Sequence, residues 1–224
     1  MKELLQRYKY ASADQLPSYC IPITVNGKTC GRLRPITPDT LHSEEEIRLL
    51  TEWRSASGEW FTTQFPVTEH GTRQWLEQQV LQADDRILFF VDDEDWNPIA
   101  QVGFLHYDEV KKQCEFDNLL RGRKGRFGNI MIYALLALGE WSIRVLDLQT
   151  GYLNVLADNA RAIAIYKKLG FQEEKRTPLV KQVEGDVTRW VAAEDDDAGG
   201  EAQRYLVTMK VRTEGFYDTL KHIL

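Results

Sequence analysis

The run Ile130-Met-Ile-Tyr-Ala-Leu-Leu-Ala-Leu138 is apolar on every face of the helix it predicts. A helix with no polar side must be covered on all sides, so this one needs layers of structure around it. The run is also far short of the roughly 18 residues that would cross a bilayer. Its flanks are as informative as the run itself. Before it, R-G-R-K-G-R-F-G sets Arg121, Arg123, Lys124 and Arg126 among Gly122, Gly125 and Gly128. After it, G-Y-L-N-V-L-A reads as a strand, and a second helix containing Tyr166 follows, capped by Asp158 or Asn159. Gly170 supplies a left-handed stop to that helix, with Lys167 and Lys168 in its last turn, where cations favour the dipole.

Towards the N-terminus, residues 1–18 form a polar lead-in with a short helix around Leu4, Leu5 and Tyr8. Ile21–Val25 and Thr29–Ile36 predict a hairpin about Asn26-Gly27. In the register of a two-residue turn, Cys30 faces Ile23 and Cys20 faces Leu33. Ser43 and Glu46 form a capping box for a helix over 44–54, and Thr68 caps a second helix to about Gln82. R-I-L-F-F-V is a buried strand. The short polar link D-E-V-K-K makes the strands I-A-Q-V-G-F-L-H-Y and Q-C-E-F-D-N-L-L antiparallel neighbours. Beyond Phe171 the chain is strand material, clearest in T-R-W-V and R-Y-L-V-T-M-K-V, with the charged, small-residue stretch A-A-E-D-D-D-A-G-G-E-A between them expected as a mobile loop. A short terminal helix is expected to dock at the end. The elements make a mixed α+β chain.

At 224 residues the chain suits one domain. Its net charge of −6 argues against nucleic acid as the default partner. The charged N-terminus lacks a signal-peptide core, so a cytoplasmic location is expected. Cys20, Cys30 and Cys114 make no disulfide framework, and no cysteine or histidine spacing predicts a metal site.

Glycines let backbone curl closely around a ligand, and the helix that begins near Asn129 directs free N–H groups and a positive dipole end outward. This arrangement suits a pyrophosphate. The G-K-[ST] ending of a Walker loop and the G-x-G-x-x-G of a dinucleotide fold are both missing. Taken alone, the loop fits a solvated basic turn equally well.

The segment N-A-R-A-I-A-I-Y-K-K-L-G-F resembles the second half of the acetyl-CoA-binding core of the GNAT (Gcn5-related) N-acetyltransferase superfamily. The family's preceding Q/R-x-x-G-x-G/A loop is matched by Arg123-x-x-Arg126-x-Gly128, with Arg126 in place of the middle glycine. The resemblance implies a largely antiparallel twisted sheet with splayed middle strands and helices on both faces. It implies one acetyltransferase domain over 31–212, preceded by an extension and first hairpin strand (1–30) and followed by a tail (213–224). Acetyl-CoA would lie between the splayed strands as co-substrate, with no metal. Its pyrophosphate would rest on Arg126, Phe127, Gly128 and Asn129, with Arg123 beside them. Its pantetheine would pair with Asn118, Leu119 and Leu120, and Asn159 would hold the arm. An N–H on the fourth strand would stabilise the oxyanion, and Tyr166 would protonate the departing thiolate.

Glu115 and Asp117, on one face of a strand, are candidates to relay the acceptor's proton through water; His70 and His106 are weaker ones. Trp53-Arg54 and a later W-L are similar to the branch holding ribosomal-protein-like and sugar-nucleotide N-acetyltransferases. Arg54 would meet a phosphate or carboxylate, with Trp60 and Phe61 as a ring platform. The leading acceptor is an amino sugar on a nucleotide. A protein or peptide amine, drawn by the acidic surface Glu194–Asp197, is the alternative, and a non-catalytic acyl-CoA-binding module is a third reading. The partners expected are thus a small-molecule amine, with neither nucleic acid nor membrane, and the chain is compatible with a homodimer.

Overall fold

A computed structural model describes residues 2–193 and 202–223, the last four of these in backbone only. The helices are α1 (Lys2–Lys9), α2 (Leu16–Tyr19), α3 (Pro38–His42), α4 (Glu44–Ala56), α5 (Glu69–Trp75), α6 (Ile130–Leu146), α7 (Ala160–Lys168) and α8 (Thr213–Ile223). The strands are β1 (Ile21–Val25), β2 (Lys28–Pro35), β3 (Thr63–Gln64), β4 (Ile87–Asp92), β5 (Pro98–Asp108), β6 (Gln113–Arg121), β7 (Thr150–Leu156), β8 (Gln172–Glu184), β9 (Val187–Ala192) and β10 (Arg204–Arg212). All ten strands join one sheet in the order β1-β2-β4-β5-β6-β7-β10-β8-β9-β3. Every neighbouring pair is antiparallel except β6–β7. The α+β expectation holds.

The parallel pair is the important one. β6 and β7 pair only at Gln113↔Thr150, Cys114↔Gly151 and Glu115↔Tyr152. Beyond these three rungs they diverge, which opens a V in the middle of the sheet. Two apolar layers pack on the sheet. On one face α6 packs Ala134, Leu138 and Trp141 against Phe89, Phe104 and Val102. On the other, α4 and the helix after Thr68 pack Ile47, Leu50, Trp53, Leu76 and Val80 against Leu88 and Phe90.

Several local signals act as read. Ser43 accepts from the Glu46 N–H, and Thr68 from that of Gly71 at 3.1 Å. Asn159, not Asp158, caps α7, its Oδ1 accepting from Ala162 N–H at 3.2 Å. Gly170 adopts φ +85°. Leu5 of α1 and Phe216 of α8 are buried in the main core, so both ends of the chain contribute to it.

Two expectations are corrected, and one helix that spans its expected range changes type within it. The hairpin carries a bulge at Ile23/Thr24, so Ile23 faces Gly31 and Ile21 faces Leu33. The shift places Gly31 where a Cβ would lie 2.5 Å from the Asp92 carbonyl oxygen, a position only glycine can fill. The helix after Thr68 continues past Trp75 as a π-helical stretch, Leu76–Leu81. And α6 is not covered throughout: Arg144 and Val145 are exposed, while Met131 and Ile132 line an open cleft. Its apolar circumference serves a core on one side and a ligand space on another. The acidic stretch Glu194–Asp197, and most of the expected mobile loop, lie outside the described residues.

Candidate active site

The V between β6 and β7 is the floor of a cleft of about 760 Å³. Tyr166, Glu115 and Asp117 all line it, as do Asn118, Leu119, Leu120, Gly128, Asn129 and Asn159 on one side and Trp60 and Phe61 on the other. One space therefore collects residues more than a hundred positions apart.

β6 is bent at the cleft by a bulge. Gln101 pairs with Leu120 and Gly103 with Asp117, so Asn118 and Leu119 together oppose Val102. Asn118 takes φ +54°, which asparagine tolerates better than most residues. Gln101, itself buried, holds it by donating to Asn118 Oδ1 at 3.1 Å. A bulge disrupts the ladder locally and leaves main-chain groups unpaired, here at the mouth of the V.

The carboxylates are held separately. Asp117 is ion-paired with Arg86 at 3.0 Å and accepts from Asn118 Nδ2 at 2.5 Å. Glu115 accepts from Asn154 Nδ2 at 2.8 Å, and Asn154 Oδ1 in turn accepts from Thr208 Oγ1 at 2.7 Å. The exposed His106 places Nδ1 3.6 Å from the other Glu115 oxygen. Tyr166 stacks at a tilt on Phe171, which meets Phe116 edge-on. Burial, with the Asp117 charge adding to it, pushes the Tyr166 phenol up to about 12, so it is protonated throughout the neutral range.

The Gly/Arg loop turns Arg123, Lys124 and Arg126 away from the cleft, while Arg121 lines it. Arg126 pairs with Asp95 at 3.3 Å, drawn by the acidic turn between β4 and β5. Arg121 donates to the carbonyls of Arg123 and Gly128. Arg123 is exposed, and Phe127 packs on the core. Arg123, Arg126 and Phe127 thus do not line the cleft, whereas Gly128 and Asn129 do. Among the described residues, no main-chain carbonyl accepts from the N–H groups of 124–129. Asn129, at the start of α6, makes no side-chain cap. Free amides at a helix N-terminus are what an anionic ligand requires.

The opposite wall is assembled from distant segments. β9 pairs with β3, and Trp190 N–H donates to Thr62 O at 2.7 Å. Arg204 grips Asp158 through three contacts of 2.8–3.1 Å and donates to Glu59 O at 3.0 Å. The β8–β9 hairpin therefore fixes the segment carrying Trp60 and Phe61. Arg54 lies over the Phe61 ring at 3.5 Å and donates to Thr63 O at 2.8 Å, so Phe61 serves as a platform for the guanidinium. Burial lowers Arg54 to about 10, and Asp117 is the anion whose field opposes that shift.

Sequence reasoning missed Asn154 and Thr208, which orient Glu115, Arg86, which holds Asp117, and Arg161 and Lys168, which also line the cleft. Alternation along β7 could have placed Asn154 beside Glu115; nothing local points to Arg86.

A profile for the "Acetyltransferase (GNAT) domain" matches residues 32–172, well over half of the chain. The chain belongs to the GNAT acetyltransferase family. It is an acyltransferase of that type, an N-acetyltransferase with acetyl-CoA as co-substrate. No curated protein sequence matches it. Solved structures similar to it include a spermidine N-acetyltransferase from Vibrio cholerae in complex with CoA and spermine. It has a TM-score of 0.61 and 16% identity, over 83% of this chain and 96% of that one. Mutant forms of the spermidine/spermine N-acetyltransferase SpeG from the same organism give 0.60 and 15%, over 83% and 95%. At such identities the likeness is one of fold. The GNAT fold accounts for the splayed β6–β7 pair.

Proposed function

We propose that this GNAT protein acetylates a primary amine of a small molecule in the β6–β7 cleft, with Tyr166 as the general acid. The observation that carries the reading is that Tyr166, Asp117, Glu115 and the bulge at Asn118 all face one space, with free amides at the start of α6 along its edge. The pyrophosphate of acetyl-CoA rests on the amides leading to Asn129, and the pantetheine runs along Asn118–Leu120. Because the Asn159 oxygen is used as a cap, that residue reaches the pantetheine through its NH₂ group.

An alkyl ammonium has a pKa of roughly 10, so the acceptor must lose a proton before it attacks. Glu115 or Asp117 takes it through water; Glu115 has His106 beside it as an outlet to solvent. Attack on the thioester carbon builds an oxyanion that an N–H of the bulge stabilises. The C–S bond then breaks and Tyr166 protonates the sulfur. Desolvation makes the phenol a weaker acid, and the same desolvation makes the leaving thiolate more basic, so donor and acceptor stay matched.

The acceptor favoured is an amino sugar carried on a nucleotide, in line with the sugar-nucleotide branch. Arg54 is half-buried over the Phe61 ring with no carboxylate bonded to it among the described residues. It is not itself part of the cleft lining, but its charge favours a phosphate beside Trp60 and Phe61. A polyamine is the second reading: the carboxylates Glu115 and Asp117 line the cleft, and a fold neighbour binds spermine. A peptide amine ranks below both. The cytoplasm is the location proposed, 31–212 the catalytic domain, and a homodimer the assembly; no helix among the described residues is long and apolar enough to cross a membrane. The test is thiol release from acetyl-CoA with nucleotide-linked amino sugars, polyamines and basic peptides. Saturable turnover with the sugars supports the proposal. Turnover with polyamines or peptides alone removes the sugar reading, and CoA binding without any turnover removes the enzyme reading.

A further inference from the structure

Behind the catalytic tyrosine lies a second, smaller space. It has a volume of about 20 Å³ and sits among α6, α7, α8 and the foot of the V, where β6 and β7 still pair. It shares five walls with the cleft: Phe116, Leu119, Leu135, Leu153 and Tyr166. Apart from Thr150, Arg212 and Thr213, its lining is apolar.

Two glycines shape it. A Cβ on Gly139 would lie 2.6 Å from the Phe216 ring, and one on Gly151 would lie 2.5 Å from the Phe116 ring. Gly139 sits inside α6, where glycine costs about 1 kcal/mol relative to alanine. The helix gives up that stability to seat Phe216, which closes the space from α8.

A thioester carbon has three substituents. In the proposed reaction its oxygen is directed to the bulge at Asn118 and its sulfur to Tyr166. The acyl chain is left facing the apolar walls that the two spaces share. A water-sized group needs roughly 10–15 Å³ on this measure, so the space accommodates one or two carbons beyond acetyl.

We propose that this space is an acyl-chain pocket and that the protein accepts propionyl-CoA and butyryl-CoA as well as acetyl-CoA. The inference rests on the acyl-CoA reading of the cleft. The transfer is unchanged in kind: an amide C–N bond forms, the C–S bond breaks, the amine's proton goes to the base and the thiolate takes one from Tyr166.

Calorimetric titration of the full chain with CoA, acetyl-, propionyl-, butyryl- and hexanoyl-CoA tests this without needing the acceptor. Burying one methylene is worth a factor of roughly four in affinity. Affinity should therefore climb to roughly fifteenfold above acetyl-CoA at butyryl-CoA and fall back at hexanoyl-CoA. Ile143→Phe, which fills the pocket from α6, should lower the butyryl-to-acetyl affinity ratio at least fivefold, and Phe216→Leu should move the optimum to longer chains. Equal affinities from acetyl to butyryl in a protein that binds CoA would overturn the pocket. Failure to bind CoA at all would instead overturn the reading of the cleft. Should either variant misfold, the wild-type series decides alone.

Discussion

The two walls of the cleft are built in opposite ways. The wall proposed for the cofactor comes from one continuous stretch, β6 through α7, and offers largely main-chain groups: a bulged strand, a loop of free amides and a helix start. The acceptor wall is a collage. Trp60 and Phe61 line it from the segment after α4, and that segment is held by Arg54 of α4, by the β9–β3 pairing and by Arg204 of β10. Backbone contacts tolerate side-chain change, whereas the opposite wall presents the individual rings of Trp60 and Phe61. On the proposed reading, cofactor choice rests with the fold and acceptor choice with a few residues.

Tyr166 stands where the walls meet, and its loss should have the largest effect. Tyr166→Phe should lower turnover by about 100-fold or more, the usual contribution of a general acid. Acetyl-CoA affinity, measured by calorimetry, should change less than threefold. A phenol at about 12 keeps its proton to near pH 11. Activity should therefore rise with pH as the amine deprotonates, with no descending limb from the phenol below that point.

Next comes a side chain that holds the acceptor wall. Arg54→Met should weaken acceptor binding about tenfold, with KM for acetyl-CoA unmoved. Because it removes a half-buried cation with no bonded carboxylate among the described residues, it should leave thermal stability unchanged or raised. A fall in stability with an unchanged acceptor KM would make Arg54 a structural residue. Arg204→Ala, which frees Glu59 and Asp158, should raise the acceptor KM by about threefold to tenfold, again sparing acetyl-CoA. An equal effect on both substrates would erase the distinction between the walls.

The cofactor wall gives the smallest effect. Asn159→Ala should raise KM for acetyl-CoA severalfold and cost about 1 kcal/mol of stability through the lost cap, read by urea denaturation. The acceptor KM should stay constant.

The same contrast explains what could be read from the sequence. The strand over 113–120, the apolar helix, Tyr166 and the Gly170 stop are local patterns, and each lies where its spacing placed it. The hairpin slipped by a residue because the bulge at Ile23 answers to Gly31 packing on Asp92, a contact sixty positions away. The all-round apolar pattern of α6 could not tell a buried face from a ligand face, since a pantetheine arm and a protein core ask for the same side chains. The pairing of β9 with β3, which fixes Trp60 and Phe61, joins residues 63 and 189; no local signal announces such a contact.

The most direct test of the account is a crystal structure of the protein with bound acetyl-CoA. The account predicts the thioester inside the V between β6 and β7, its carbonyl oxygen on a main-chain N–H of the bulge and its sulfur within about 3.5 Å of the Tyr166 hydroxyl, hydrogen-bonding range for sulfur. A thioester bound outside the V, or one whose sulfur lies beyond the reach of Tyr166, would contradict it.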